Sequence, residues 1–221
     1  MARAPRASAP PPAAPVDRPP DLQPLRGRVE AVGEKYGYDA AHAAQVASLA
    51  GQLFRALATV HGLGPEWQAP LEHAALLHDI GYFVHAKRHH RHSRYLIRRD
   101  ALLDDYPRPW RELVALVAGN HRRRPRPAPR SWSRERRGAA AALAAILRVA
   151  DGLDYGHDGA ARLLTARVRR GGLELAVAGL RLPALQRVLR KKAALFARTF
   201  ALPVTFVPAP AGGLAAGAPE P

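Results

Sequence analysis

The chain of 221 residues contains no cysteine. That excludes disulfides and thiolate-bound metals, and it fits a protein of the reducing cytoplasm, the compartment we expect. No run of 18 uncharged apolar residues occurs. The sequence therefore offers no candidate transmembrane helix, and no membrane partner is expected. Residues 1–24, MARAPRASAPPPAAPVDRPPDLQP, hold eight prolines and lack the apolar centre of a secretion signal. They read as a disordered leader. Acidic residues are scarce: 18 Asp+Glu stand against 34 Lys+Arg, for a formal charge of +16. Only four of those cations are lysine. With the abundant alanine, this has the look of GC-rich codon bias, so the total charge names no partner. Its distribution says more. From His85 to Arg137 there are 16 Lys+Arg and 5 Asp+Glu, a surplus of 11 in 53 residues. A positive field of that density attracts phosphate-rich ligands.

What is present is, first, an apolar pattern. Hydrophobic residues make up 48% of the chain, enough for a sizeable core. From Leu25 to Leu153 the spacing is helical. Val46, Leu49, Leu53, Leu57 and Val60 recur at three- and four-residue steps up to Gly62. Further helices are predicted over Glu66–Ile80, His90–Leu103, Trp110–Asn120 and Gly138–Leu153. Arg122–Arg137, with three prolines and eight arginines, is predicted to be an exposed loop. The texture then changes. LLTARVRR and LELAVAGL alternate on either side of Gly171-Gly172 as a β-hairpin would. A helix from Pro183 to Arg198 and a strand, LPVTFV, follow. The fold class is mainly α, a helical domain over 25–160 with a small α+β appendage over 161–207. Residues 208–221 form a low-complexity tail.

Second, there are the imidazoles. Six of the ten histidines fall within Glu72–Ile97, EHAALLHDIGYFVHAKRHHRHSRYLI. A His-Asp dipeptide alone carries little information. Position relative to the apolar stripes carries more. His42 lies four residues before Val46, His92 four before Leu96, and His121 four after Val117. Asp151 lies four after Leu147, and His78-Asp79 closes the second helix. At 3.6 residues per turn, each follows a core stripe to a helix end, so five helices point a His or Asp toward one interior. Burying those carboxylates unpaired would be costly. A divalent cation removes the cost, because neutral imidazole and carboxylate both bind it. Four His and two Asp exceed the needs of one tetrahedral ion. They suit one octahedral ion with waters, or two ions bridged by a carboxylate, for which Asp79 is placed. His61, His73 and His157 read as ordinary histidines. His85, His89 and His90 read either as solvated or as substrate contacts.

The order His…His-Asp…Asp on successive helices resembles the HD superfamily of metal-dependent phosphohydrolases. HDIGYFVHAKRHHRHSRYLI, VALVAGNHRRRP and LAAILRVADGLDYGH resemble, more closely, the C-terminal HD-like region of the exopolyphosphatase / guanosine pentaphosphate phosphohydrolase (Ppx/GppA) family. LRKKAALFARTFALPV resembles that family's closing helix and strand. The resemblance covers about Val29–Val207 and implies an HD-type helical bundle. It places the superfamily's metal ligands on His42, His78, Asp79 and Asp151, with His92 and His121 at second-metal positions. That family keeps its phosphohydrolase site in an N-terminal actin-like region without a counterpart in these residues. Its exopolyphosphatase activity is therefore not carried over.

These readings imply a hydrolase of phosphate esters or anhydrides, such as a nucleotide, guanosine tetraphosphate or polyphosphate. One or two divalent ions (Mn, Mg, Fe, Co, Ni or Zn) would serve as cofactor. Asp79 would orient the metals, and His92, His121 or Lys87 would donate a proton. Lys87, Arg88, Arg122, Arg123 and Arg124 would hold substrate phosphates. The competing reading is a non-catalytic module for polyphosphate or nucleic acid, its metal structural or absent. Trp132 is the only aromatic residue within Arg122–Arg137. That counts against nucleic acid, whose readers interleave aromatics with cations. Other metal chemistry, such as a di-iron oxygenase, is a third reading. A homodimer through the Pro183–Arg198 helix is compatible with the sequence.

Overall fold

The computed structural model describes residues 18–180 and 182–208. Among them are eight α-helices: α1 (Arg26–Lys35), α2 (Ala40–Ala56), α3 (Ala58–His61), α4 (Gln68–Leu76), α5 (His89–Arg99), α6 (Arg108–Gly119), α7 (Arg134–Leu153) and α8 (Leu182–Phe200). Three strands, β1 (Arg162–Arg169), β2 (Gly172–Ala178) and β3 (Val204–Pro208), complete the mainly helical architecture. No helix of the described residues is long and apolar enough to cross a membrane.

Local chemistry sets the boundaries. Asp39 caps α2 by accepting from the His42 amide at 3.1 Å. Ser133 caps α7 by accepting from the Arg136 amide at 3.0 Å. That cap starts α7 four residues before Gly138, inside the segment predicted as loop. The predicted first helix is split at Leu57 into α2 and α3, and Gly62 ends α3 in the left-handed conformation, φ 64°. The predicted second helix is shorter than expected. α4 stops at Leu76, and His78-Asp79 sits between it and a 3-10 turn over Ile80–Phe83.

Helix α7 is the axis of the bundle. From Ala142 to Leu153 every residue is buried, the pattern of a helix covered on all sides. It packs on α2, α4, α6 and α8. Its many alanines keep those neighbours close, and Arg148 and Asp151 are carried into the interior with them. Helix α5 packs on α6 and on the Ile80–Phe83 turn.

Strands β1 and β2 form the expected antiparallel hairpin, with Arg169 opposite Gly172 and Gly171 at φ 93° in the turn. β3 runs parallel to β2, which makes β2 the central strand. A parallel return requires a crossover, and α8 supplies it. Gly179 (φ 79°) touches the Ala160 carbonyl so closely that a Cβ would overlap it. The appendage shares one core with the bundle: Leu175, Val177, Leu189 and Phe196 join the apolar cluster that contains Leu147.

Within the proline-rich stretch, Leu22 is buried and Gln23–Leu25 forms a 3-10 turn. The core thus begins earlier than residue 25. Residues 1–17 of the predicted leader and 209–221 of the predicted tail lie outside the described residues.

His73 is a core histidine, as its reading implied. It is buried on α4, with Nδ1 3.0 Å from the Tyr106 hydroxyl. Burial pushes its pKa down from 6.5 to about 4. The unfolded chain therefore takes up this proton first. The contribution to stability is complete above pH 6.5 and is lost as the pH falls toward 4. We expect His73→Gln to flatten the stability profile over that interval by on the order of 3 kcal/mol, measured by urea unfolding at successive pH values.

Candidate metal centre

Four imidazoles and two carboxylates converge where α2, α5, α6 and α7 meet the turn after α4. Each imidazole is anchored through Nδ1. His42 Nδ1 lies 2.7 Å from Asp154 Oδ2, both side chains fully buried. His78 Nδ1 lies 2.7 Å from the Ala75 carbonyl. His121 Nδ1 is 2.8 Å from the Ala118 carbonyl, and His89 Nδ1 is 3.1 Å from the Ala86 carbonyl. Carbonyl and carboxylate oxygens only accept, so these contacts place the proton on Nδ1 and leave Nε2 as a bare lone pair.

The bare nitrogens face one another in two pairs. His42 Nε2 and His78 Nε2 are 3.3 Å apart. His89 Nε2 and His121 Nε2 are 3.1 Å apart. No proton lies between two such lone pairs, so each pair is repulsive on its own. Two nitrogens bound at 2.0–2.1 Å to one tetrahedral ion, or cis on an octahedral one, lie about 2.8–3.4 Å apart, a range that holds both separations.

Asp79 sits between the pairs. Its Oδ2 is 3.4 Å from His78 Nε2, and its Oδ1 is 3.2 Å from His89 Nε2 and 3.4 Å from His121 Nε2. Oδ1 is buried without a donor in hydrogen-bonding geometry. Such an orphaned carboxylate oxygen is costly unless a cation meets it. Three sets of donor atoms lie within 4.8 Å of one another: His42–His78–Asp151, Asp79–His89–His121, and His42–Asp79–His157. The residues fit a divalent ion on each side of Asp79.

The protonation states agree with that use. Burial, then the neighbouring His78, lowers the His42 pKa against the pull of Asp154. Burial holds His121 well below its usual value. The Asp79 pKa is lowered: burial would raise it, but positive charge at His78, a hydrogen bond from His89 and positive charge at His121 outweigh that, a role a bound cation takes over when the rings are neutral ligands. Asp151 is likewise lowered despite burial, chiefly by Lys192. Neutral imidazole and ionised carboxylate are the ligating forms.

Asp79, His89, His121 and Asp151 of the centre line a cavity of about 1180 Å³. Arg122, Arg123, Arg124 and Arg148 line one side, and Lys191, Lys192 and Arg198 of α8 line another. The arginine loop is held in shape. Arg148 donates to the carbonyls of Asn120 (2.6 Å) and Arg123 (2.5 Å), and Asn120 pairs with the backbone of Arg126 at 3.0 and 2.8 Å. Two cations also touch ligand groups: Arg122 Nη1 lies 3.2 Å from His89 Nε2, and Lys192 pairs with Asp151.

Of the residues singled out from sequence, His42, His78, Asp79, His121 and Asp151 come together, and Arg122, Arg123 and Arg124 line the cavity. His92 does not join them. The buried face of α5 is His89, Ser93 and Ile97, so the imidazole that meets Asp79 is His89. Lys87 and Arg88 are exposed and lie outside the cavity wall. His157, read as ordinary, stacks on His42 at 3.6 Å with the rings 6° from parallel. Lys191, Lys192 and Arg198 were missed because α8 reads as a packing helix. The His89 signal was available: Ser93 and Ile97 follow it at four-residue steps.

Fold and site together define a mainly helical domain whose buried histidines and carboxylates meet at one cationic cavity. Residues 26–179 match Ppx/GppA phosphatase, domain III, and the chain belongs to that family. The match covers most of the helical bundle and the hairpin, while α8, with its three cavity cations, lies beyond it. No curated protein matches the chain.

Asp154 reaches the centre only through His42, as the hydrogen-bond partner that fixes its tautomer. We expect Asp154→Asn to weaken divalent-metal binding by roughly 10–100-fold, measured by competition with a chromophoric chelator.

Proposed function

We propose that the chain is an HD-type, divalent-metal-dependent phosphohydrolase. Its substrate would be a phosphate ester or anhydride such as a nucleotide, guanosine tetraphosphate or polyphosphate. The observation that carries this reading is the ionised Asp79 carboxylate set between two pairs of facing, unprotonated Nε2 atoms. His42, His78 and Asp151 would hold one ion and His89 and His121 a second, with Asp79 shared. Bound there, such ions supply an activated water and polarise a phosphoryl oxygen.

The chain's own groups do the rest. Asp154 and the carbonyls of Ala75, Ala86 and Ala118 hold the four rings in one tautomer and orientation. Arg122, Arg123 and Arg124 offer guanidinium forks to the phosphates that are not transferred. Arg148 and Asn120 fix the loop that presents them, so less ordering is needed when substrate binds. His121 would act as a ligand, and His92 and Lys87 are not among the residues that line the cavity.

One observation favours the second reading, a polyanion-binding module. Lys192 on Asp151 and Arg122 on His89 satisfy two ligand groups without any ion. Elemental analysis followed by a phosphate-release screen with manganese, magnesium, cobalt and nickel separates the two. Hydrolysis predicts bound metal and turnover, with Asp79→Ala and His42→Ala each lowering kcat/KM by more than about a hundredfold while polyphosphate binding persists. Polyphosphate binding that is indifferent to chelator, with no turnover under any metal, would support the module instead.

A further inference from the structure

Helix α5 has a second charged face. Opposite His89, Ser93 and Ile97, the residues Arg91, Arg94 and Arg98 recur at three- and four-residue steps. With Arg126 from the loop after α6, they line a groove of about 230 Å³, separate from the metal centre. Gly119 allows the groove to form. A Cβ there would come within 3.0 Å of the Arg94 Cβ, so the two helices pass closely at this point.

The groove is electrostatically incomplete. Glu112 is the one carboxylate among the described residues that pairs with these arginines, and it is taken by Arg98 at 2.8 Å. Burial, then Arg126 and Arg98, lowers the Arg94 pKa, with Glu112 alone opposing. Arg94 Nε and the Nδ1 of His90, which also lines the groove, are buried without a hydrogen-bond partner. Like charges crowded in this way repel, and a multivalent anion relieves the repulsion. The site is also built in advance, because the Asn120 side chain binds both the amide and the carbonyl of Arg126.

We infer that this groove is a second anion site, which takes the phosphate or pyrophosphate group of a small-molecule ligand independently of the metal centre. Guanidinium forks match phosphate oxygens in pairs, and Arg91, Arg94 and Arg126 supply three. The loop from Arg122 to Arg126 then presents cations to two anion sites, one on each of its sides. The inference does not rest on the phosphohydrolase reading, since the groove contains none of the metal-ligating groups.

The test is isothermal titration of the full chain, in chelator and low salt, with methylenediphosphonate, a pyrophosphate analogue that resists hydrolysis. Two classes of site are expected. Arg91 and Arg126 are exposed, so Arg91→Gln with Arg126→Gln leaves the fold intact, which equal melting temperatures would verify. That variant should lose one class by tenfold or more in affinity. Lys191→Gln with Arg198→Gln, on the cavity wall, should weaken only the other. Retention of both classes in the groove variant would overturn the inference. So would a single class in the native chain that disappears with the cavity variant. Loss of single-stranded oligonucleotide binding in the groove variant, with diphosphonate binding unchanged, would overturn it in favour of a nucleic-acid backbone.

Discussion

The Asp79 carboxylate is the constraint around which this fold is arranged. It is a charge in a largely buried position, flanked on both sides by nitrogen lone pairs instead of donors. Oδ1 is buried, and no protein donor meets it in hydrogen-bonding geometry. The surrounding structure keeps this arrangement in place. Two carbonyls one turn back in α6 and α4, the Ala86 carbonyl before α5, and Asp154 each hold an imidazole proton on the far side of its ring. The lone pairs are thereby directed inward. An arrangement that is unfavourable by itself becomes favourable with cations, and two cations of the chain, Lys192 and Arg122, already approach two of its members.

The packing around Asp79 follows from this. Ser93 Oγ accepts from the Gly81 amide at 2.9 Å and donates to the His78 carbonyl at 2.6 Å, which ties the middle of α5 to the His-Asp turn. A Cβ on Gly81 would overlap the His89 carbonyl and the Ser93 amide, so glycine is required for α5 to come this close. On the other side, α7 delivers Asp151 from the centre of the bundle, and α8 lays Lys192 over it. The small α+β appendage therefore does more than pack. Its helix forms one wall of the cationic cavity.

Much of this was legible from sequence, for a physical reason. Where a polar residue sits four positions from an apolar stripe, the helix repeat alone sends it to the interior. His42, His121 and Asp151 were found that way, and His78-Asp79 by following the second helix to its end. His92 was misplaced because α5 is so rich in arginine that two stripes compete. Its true inward face includes a serine, which joins the core through hydrogen bonds and does not register as apolar. Lys87 and Arg88 fell with it, since they were placed by proximity in sequence to the histidines. Lys192 and Arg198 could not be read, because only the α8 crossover from β2 to β3 brings that helix back over α7. The start of α7 was hidden by arginines that form its first turn once Ser133 caps it.

The most direct test of the central claim is a crystal structure of the chain grown with manganese and measured at the anomalous edge of that metal. We predict anomalous peaks on both sides of the Asp79 carboxylate. One should be within bonding distance of the Nε2 atoms of His42 and His78, and the other within bonding distance of those of His89 and His121. Manganese bound elsewhere, with the four Nε2 atoms and Asp79 free of it, would contradict the account.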